Sequence, residues 1–357
     1  MGTVLLVIVG IIMFGFLIAI HEFGHFITAK LCGVKVNEFA IGMGPKLLSK
    51  QGKETLYSLR LFPIGGFCAM EGEDEDTADP RSFQKAKAWK KLLILLAGAA
   101  MNFLIGVLIF VGLYLSIQGY EVEAVKSFEP WSTLPEQGLQ VGDEFLSIDG
   151  HKMLVAGDAA IFLDRVGAYA DIEVLRDGER ITLENVSMDR TAITGDDGQV
   201  SHKLGVTLGS KVYSANLGDK LRLAWNNSKN TIRLVWMGLG DLVTGRVGLR
   251  DVSGPVGIVD MMGQVAGNAK TTTSAFLSIL SLVAFIAINL AVMNLLPIPA
   301  LDGGRIFFLL INVIFTAVTK KRLDPKYEGV VNAVFLVGLL VFMAVVAASD
   351  VMKIFGR

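Results

Sequence analysis

Three side chains in one short run have the types and the spacing for metal-assisted hydrolysis. They are His21, Glu22 and His25 in Ile20-His21-Glu22-Phe23-Gly24-His25-Phe26. On a helix, residues four apart share a face, so both imidazoles can turn a ring nitrogen towards one cation. Glu22 then stands beside them as a general base. The setting is as telling as the spacing, because the run closes an uncharged apolar stretch, residues 2–20. Ionisable groups at membrane depth are costly and mark functional sites. Two histidines four apart can also merely pair with neighbours, so the metal reading requires a third ligand in a comparable setting.

A second uncharged run, 271–301, ends at Asp302 in Asn294-Leu295-Leu296-Pro297-Ile298-Pro299-Ala300-Leu301-Asp302-Gly303-Gly304. Proline and glycine at this density break a helix, and broken backbone at membrane depth is tolerated only where protein or a cavity covers it. A carboxylate offered from such a break suits a third ligand, leaving a fourth position of a catalytic zinc open. Asp302 as a simple helix cap at the interface is the competing reading.

Apolar segments must position these groups. The 357 residues are 52% hydrophobic, with net charge −1 and mean hydropathy +0.53. This is the composition of an integral membrane protein carrying some soluble mass, and its near-neutral charge excludes nucleic acid as a partner. Four runs, 3–29, 92–117, 275–296 and 330–348, have the roughly 20 residues that a helix needs to cross a bilayer. A fifth, 306–319, is short for a crossing and reads as a buried or interfacial helix. The first run lacks a basic leader and a small-residue cleavage site, so it reads as a retained span, not a signal peptide. Cys32 and Cys68 have no metal-ligand spacing and read as reduced thiols.

Basic residues set the orientation. Lys30, Lys35, Lys46, Lys50, Lys53 and Arg60 lie between the first two spans, followed by Arg81, Lys85, Lys87, Lys90 and Lys91. Lys320, Lys321, Arg322 and Lys326 precede the last span. By the positive-inside rule these loops are cytoplasmic, and 118–274 lies on the other side with both termini. Trp89 beside Lys90 and Lys91 reads as an interfacial anchor.

In the first loop, 34–41 and 55–62 are rich in strand formers, and Gly42-Met43-Gly44-Pro45 and Pro63, Gly65 and Gly66 interrupt them. They predict a small β-structure beside the membrane. It could plug the bundle or bind substrate through the main chain around Tyr57, Leu59 and Leu61. The acidic stretch 71–76 reads as a solvated loop. Residues 122–208 alternate short strands with turns, as at Asp149-Gly150 and Asp177-Gly178, and amount to one small domain in which His151 and His202 read as surface residues. From 217 to 242, Leu221, Trp225, Ile232, Val235, Trp236, Leu239 and Leu242 recur at helical spacing, which suits a helix lying on a membrane surface.

His21-Glu22-Phe23-Gly24-His25, taken with Asn294-x-x-Pro297-x-Pro299-x-Leu301-Asp302-Gly303, resembles the site-2 protease family of intramembrane zinc metalloproteases, in particular its bacterial regulator-of-sigma-E branch. Leu59-Arg60-Leu61-Phe62-Pro63-Ile64-Gly65-Gly66-Phe67 resembles that family's membrane-associated β-loop. Arg81-Ser82-Phe83 resembles the approach to its second span, Gly142-Asp143 to Asp149-Gly150 a PDZ domain, and Ser253-Gly254-Pro255-Val256-Gly257-Ile258 the segment before its third span.

The resemblance implies a polytopic α-helical membrane protein of about four transmembrane helices. A membrane-associated β-loop lies on the cytoplasmic side, with an extracytoplasmic PDZ domain of mixed β/α structure. Residues 1–117 and 271–357 make the two halves of the protease core, 121–208 the PDZ domain and 209–270 an amphipathic surface linker. His21, His25 and Asp302 hold one catalytic Zn²⁺ and Glu22 is the catalytic base. Asn294, Pro297, Pro299, Tyr57, Leu59, Leu61 and Asn102 meet the substrate. The substrates implied are single-span proteins such as anti-sigma factors, or remnant signal peptides, in the bacterial inner membrane, with an upstream site-1 protease acting on the same substrate.

Two departures stand out. Where the family usually has Ala-Gly-Pro-x-x-Asn, this chain has Ala97-Gly98-Ala99-Ala100-Met101-Asn102, and it has room for one PDZ domain where the best-known branch member has two. Two rival classes are a non-proteolytic PDZ scaffold with structural zinc and a metal transporter. Glu22 weighs against the first, since a structural site needs no base, and the scarcity of polar residues in the spans weighs against the second.

Overall fold

The computed structural model describes residues 3–73, 77–194, 199–248, 254–268, 271–320 and 325–355. Part of the acidic stretch (74–76), Ser253, and Lys321 and Arg322 lie outside them.

The first apolar run folds as one helix, α1 (Thr3–Cys32), with the His-Glu-x-x-His segment in its last three turns. Two irregular strands follow, β1 (Val36–Gln51) and β2 (Leu56–Met70), then a second long helix, α2 (Ala88–Leu115). Neither Gly42-Met43-Gly44-Pro45 nor Pro63-Ile64-Gly65-Gly66 ends its strand. They instead produce register shifts that fold each strand back on itself. Residues 38–41 therefore lie opposite both 56–59 and 66–69, and 56–59 lie opposite 48–51 as well. Ala29, Val36, Cys68 and Met70 from α1, β1 and β2 pack on Ile94 and Leu95 of α2 in one buried cluster. Ala99 stands where a proline was expected, and α2 runs through it unbroken.

A small domain follows: β3 (Gly119–Phe128), β4 (Glu144–Ile148), β5 (His151–Lys152), α3 (Asp158–Arg165), β6 (Tyr169–Arg176), β7 (Glu179–Ser187), β8 (Thr191–Thr194), β9 (Val200–Lys203) and β10 (Val206–Ser214). Its main sheet has the order β10-β3-β4-β6-β7, with β5 on β4. Both Asp-Gly pairs turn hairpins with positive φ at their two residues (Asp149 51°, Gly150 77°, Asp177 50°, Gly178 87°), the conformation that tight type I′ corners require. Asp143, fully buried, takes two bonds of 2.7 Å from the Arg176 guanidinium and one of 2.8 Å from the Gln140 amide, which pins the loop before β4 to β6. His151 and His202 are exposed, as read from the sequence.

Next come α4 (Leu217–Val243), α5 (Pro255–Gly267), α6 (Thr272–Asn294), α7 (Asp302–Thr319) and α8 (Pro325–Phe355). The chain forms two compact units, Val111–Asn230 and the remainder, with the divisions falling inside α2 and α4. On α4, Leu221, Trp225 and Trp236 are exposed, while Leu223, Ala224 and Val235 are buried. The surface linker expected over 209–270 does not reach its far end. There α5 joins the helical core, with Met262 fully buried against Met13 and Leu17 of α1 and Ile279 of α6. Its first turn is held by Asp350 of α8, which accepts from the Gly254 and Gly257 amides at 2.8 Å each. A capping box of Thr271 and Ser274 starts α6.

Among the described residues five helices, not four, are long and apolar enough to cross a membrane: Val9–Cys32, Ala88–Leu115, Thr272–Asn294, Asp302–Thr319 and Gly329–Lys353. The additional one is the run judged short from its apolar residues alone. Its helix begins at Asp302, four residues before Ile306, and reaches 18 residues by including Asp302-Gly303-Gly304-Arg305.

Candidate active site

Helix α1 carries both histidines on one face, and that face meets α2 at unusually short range. A Cβ on Gly24 would stand 2.7 Å from the Ala97 carbonyl carbon and 2.9 Å from Met101 Cγ. One on Gly98 would stand 2.7 Å from Cε1 of both His21 and His25. The two glycines let the helix backbones close up, and the imidazoles occupy the space that a side chain at 98 would fill. His25 is buried, and its Nδ1 donates to the Ile94 carbonyl of α2 at 2.8 Å, which leaves Nε2 bare and fixes the ring.

The third group arrives from the far end of the chain. Helix α6 stops at Asn294, and the backbone turns through 295–301, bonded within itself at Ile298 N–Leu296 O (2.7 Å) and Leu301 N–Ile298 O (3.2 Å). Asn332 of α8 accepts from the Ala300 amide at 3.1 Å, steadying a residue whose φ is 75°. Leu301 is extended, and Asp302 opens α7. The break thus delivers the carboxylate to the histidines and then restarts the helix.

His21 Nε2, His25 Nε2 and Asp302 Oδ2 form a nearly equilateral triangle, with separations of 3.1 Å (His21–Asp302), 3.2 Å (His25–Asp302) and 3.2 Å (His21–His25). Ligand atoms about 2.0–2.1 Å from a tetrahedral zinc lie about 3.3–3.4 Å from one another, so these donors fit one face of such a site. Among the described residues these three alone make a cluster of this kind, and Asp302 Oδ2 is buried without a hydrogen-bond partner.

The triangle faces a cavity of about 650 Å³ whose lining includes Glu22, Asn294, Asn102, Arg305 and the strand residues Phe67, Cys68, Ala69 and Met70. Tyr57, Leu59, Leu61, Pro297 and Pro299 are absent from that lining. Tyr57 and Leu59 sit in the doubly paired run 56–59, whose main chain has no edge left to offer, and both side chains are exposed elsewhere. The run on the cavity, 66–70, is paired on one edge only, to 36–41. Sequence reading missed it because the edge that stays open depends on register. The acidic stretch was also misread: Glu71 bonds Lys35 and Asn37, while Glu73 pairs with Arg305 and accepts from the Met70 amide, so both are tied down. Asn102 is buried at 1% exposure, with its amide nitrogen 3.5 Å from His21 Nδ1 and its Oδ1 without a partner among the described residues.

A family model described as peptidase family M50 matches residues 9–342. A protein of Clostridium perfringens named as a zinc metalloprotease is 37% identical over 347 residues, covering 97% of this chain and 98% of that one. A similarly named protein of Clostridium acetobutylicum is 33% identical over 97% of each chain. The regulator of sigma-W protease RasP of Bacillus subtilis is 28% identical over 98% of this chain and 99% of its own.

Proposed function

The chain belongs to peptidase family M50, the site-2 protease family, and is a zinc metalloprotease; from that premise we propose that it cuts the transmembrane segments of single-span membrane proteins, such as anti-sigma factors or remnant signal peptides, in regulated intramembrane proteolysis. The observation that carries this reading is the donor triangle on helices apolar enough to cross a membrane, open on one side to a cavity that also holds a carboxylate. The name of the Bacillus relative, a regulator of sigma-W protease, favours substrates that control a sigma factor, and the family resemblance adds their prior trimming by a site-1 protease. The basic loops favour the site lying towards the cytoplasm with the small domain on the other side, and the family resemblance adds a bacterial inner membrane and a PDZ-type domain.

In this reading His21, His25 and Asp302 would hold one Zn²⁺ beside the cavity. Bound there, it would supply Lewis acidity, enough to make water a nucleophile near neutral pH. Glu22 takes the proton that water gives up as its oxygen adds to the scissile carbonyl, and returns it to the amine nitrogen as the C–N bond breaks. A helical substrate hides its peptide bonds and must be held extended. The one-sided strand 66–70 offers main-chain hydrogen bonds for this, and Asn294 offers an amide across the cavity.

The test uses purified protein in detergent with a single-span reporter. Cleavage should stop when a chelator strips the zinc and return on stoichiometric zinc. A reporter left intact by zinc-loaded protein overturns the reading in favour of a scaffold. Asn294→Leu should keep the zinc and lower kcat/KM by about 10-fold, since one buried hydrogen bond to extended backbone is worth roughly 1–1.5 kcal/mol. Unchanged kcat/KM removes Asn294 from substrate binding.

A further inference from the structure

The two histidines differ in what holds the nitrogen facing away from the triangle. His25 Nδ1 donates to a carbonyl, Ile94 O, at 2.8 Å. Among the described residues the hydrogen-bond partner of His21 Nδ1 is the amide of Asn102, whose Nδ2 stands 3.5 Å away while its buried Oδ1 has no partner. The two orientations of that amide correspond to the two tautomers of His21. With Nδ2 towards the ring, Nδ1 must accept, and the ring hydrogen sits on Nε2, pointing into the triangle where a ligand needs a lone pair. With the amide turned by half a rotation, Oδ1 accepts from Nδ1–H, Nε2 is bare, and the orphaned oxygen is satisfied.

We infer that Asn102 is a positioning residue for metal binding: its side-chain oxygen accepts the Nδ1 hydrogen of His21 and so aims a bare Nε2 at the ion. This rests on the zinc-protease reading of the same triangle and replaces the substrate-contact role that the sequence suggested for Asn102. Burial supports it, because Asn102 is 1% exposed and lies on α2 one turn beyond Gly98, the residue that admits both rings. Partners of this kind fix ligand orientation, and losing one typically costs about 10–100-fold in metal affinity.

The test measures zinc affinity by chelator competition in full-length protein and in Asn102→Leu and Asn102→Asp. Leucine fills the space without an acceptor and should weaken zinc by about 10–100-fold. Aspartate restores an acceptor and should stay within about threefold of the parent, giving the carboxylate–histidine–metal arrangement. A second readout uses ¹⁵N-histidine NMR of the zinc-loaded protein, tractable because the chain has four histidines. The His21 proton should sit on Nδ1 and move downfield in Asn102→Asp, where its acceptor becomes charged. Unchanged affinity in Asn102→Leu, equal losses in both variants, or a Nδ1 resonance that does not respond to aspartate each overturn the inference. If the leucine variant does not fold, the resonance comparison between parent and Asn102→Asp decides alone. A parent that binds no zinc condemns the zinc-protease reading, whereas a zinc-binding parent with an indifferent Asn102→Leu condemns only this inference.

Discussion

Glu22→Gln should lower the rate of reporter cleavage by about 10²–10⁴, the range over which a positioned general base acts, while the zinc content stays at the parent's level. The geometry separates the two outcomes. Glu22 lies next to His21 in α1 and lines the cavity, but it is not one of the three groups whose ligand atoms meet. Its Cγ rests 3.5 Å from where a Cβ on Gly66 would stand, so the side chain lies against the strand that borders the cavity. Glutamine fills the same volume and can still accept a hydrogen bond, so packing on β2 is preserved. What it cannot do is take a proton from water. Rates measured under single-turnover conditions, beside metal analysis of the same samples, separate chemistry from loading. A glutamine variant within tenfold of the parent would remove Glu22 from proton transfer. One that also lost zinc would make it part of the metal-holding structure instead.

Most of the donor cluster was legible because its signals are local or compositional. His21 and His25 are four apart on a helix, and Asp302 is the first charge after the uncharged run 271–301. What escaped depends on how distant segments pack. Gly24 and Gly98 look like ordinary small residues in apolar helices until α1 and α2 are placed together. The strand beside the cavity is 66–70 and not 56–59, because the register shifts in β1 and β2 leave the first run with one free edge and the second with none. A composition rich in strand formers cannot say which edge is covered. Glu73 sits in an acidic run that reads as solvated, yet its partner Arg305 is three residues past Asp302, more than two hundred positions away in the chain. The helix Asp302–Thr319 was undercounted for a related reason. Its first turn is built from Asp-Gly-Gly-Arg, residues that no hydropathy reading would assign to a helix, with the acidic residue at the N-terminus where the helix dipole favours it.

Gly98→Ala should weaken zinc binding at least about tenfold, and lower cleavage with it, without unfolding the protein, and the opposing signs make the outcome diagnostic. In the interior of a helix, alanine is favoured over glycine by about 0.5–1 kcal/mol, so on propensity alone α2 gains stability. The methyl group, however, would stand 2.7 Å from Cε1 of both imidazoles and closer still to His25 Nε2, inside the contact distance of any carbon. Relief by withdrawing α1 is blocked, since Gly24 already sets the spacing of the two helices and the His25–Ile94 bond of 2.8 Å holds the ring to the same stretch of α2. The rings must rotate instead, and rotation opens a triangle whose sides of 3.1–3.2 Å leave little room for error in a tetrahedral site. Zinc retained after gel filtration should fall at least about tenfold, as expected when ligand orientation is lost. The melting temperature of metal-free protein should hold or rise. An alanine variant that kept its zinc would mean that α1 and α2 can separate without cost, and the close approach at Gly24 and Gly98 would then be incidental to the site.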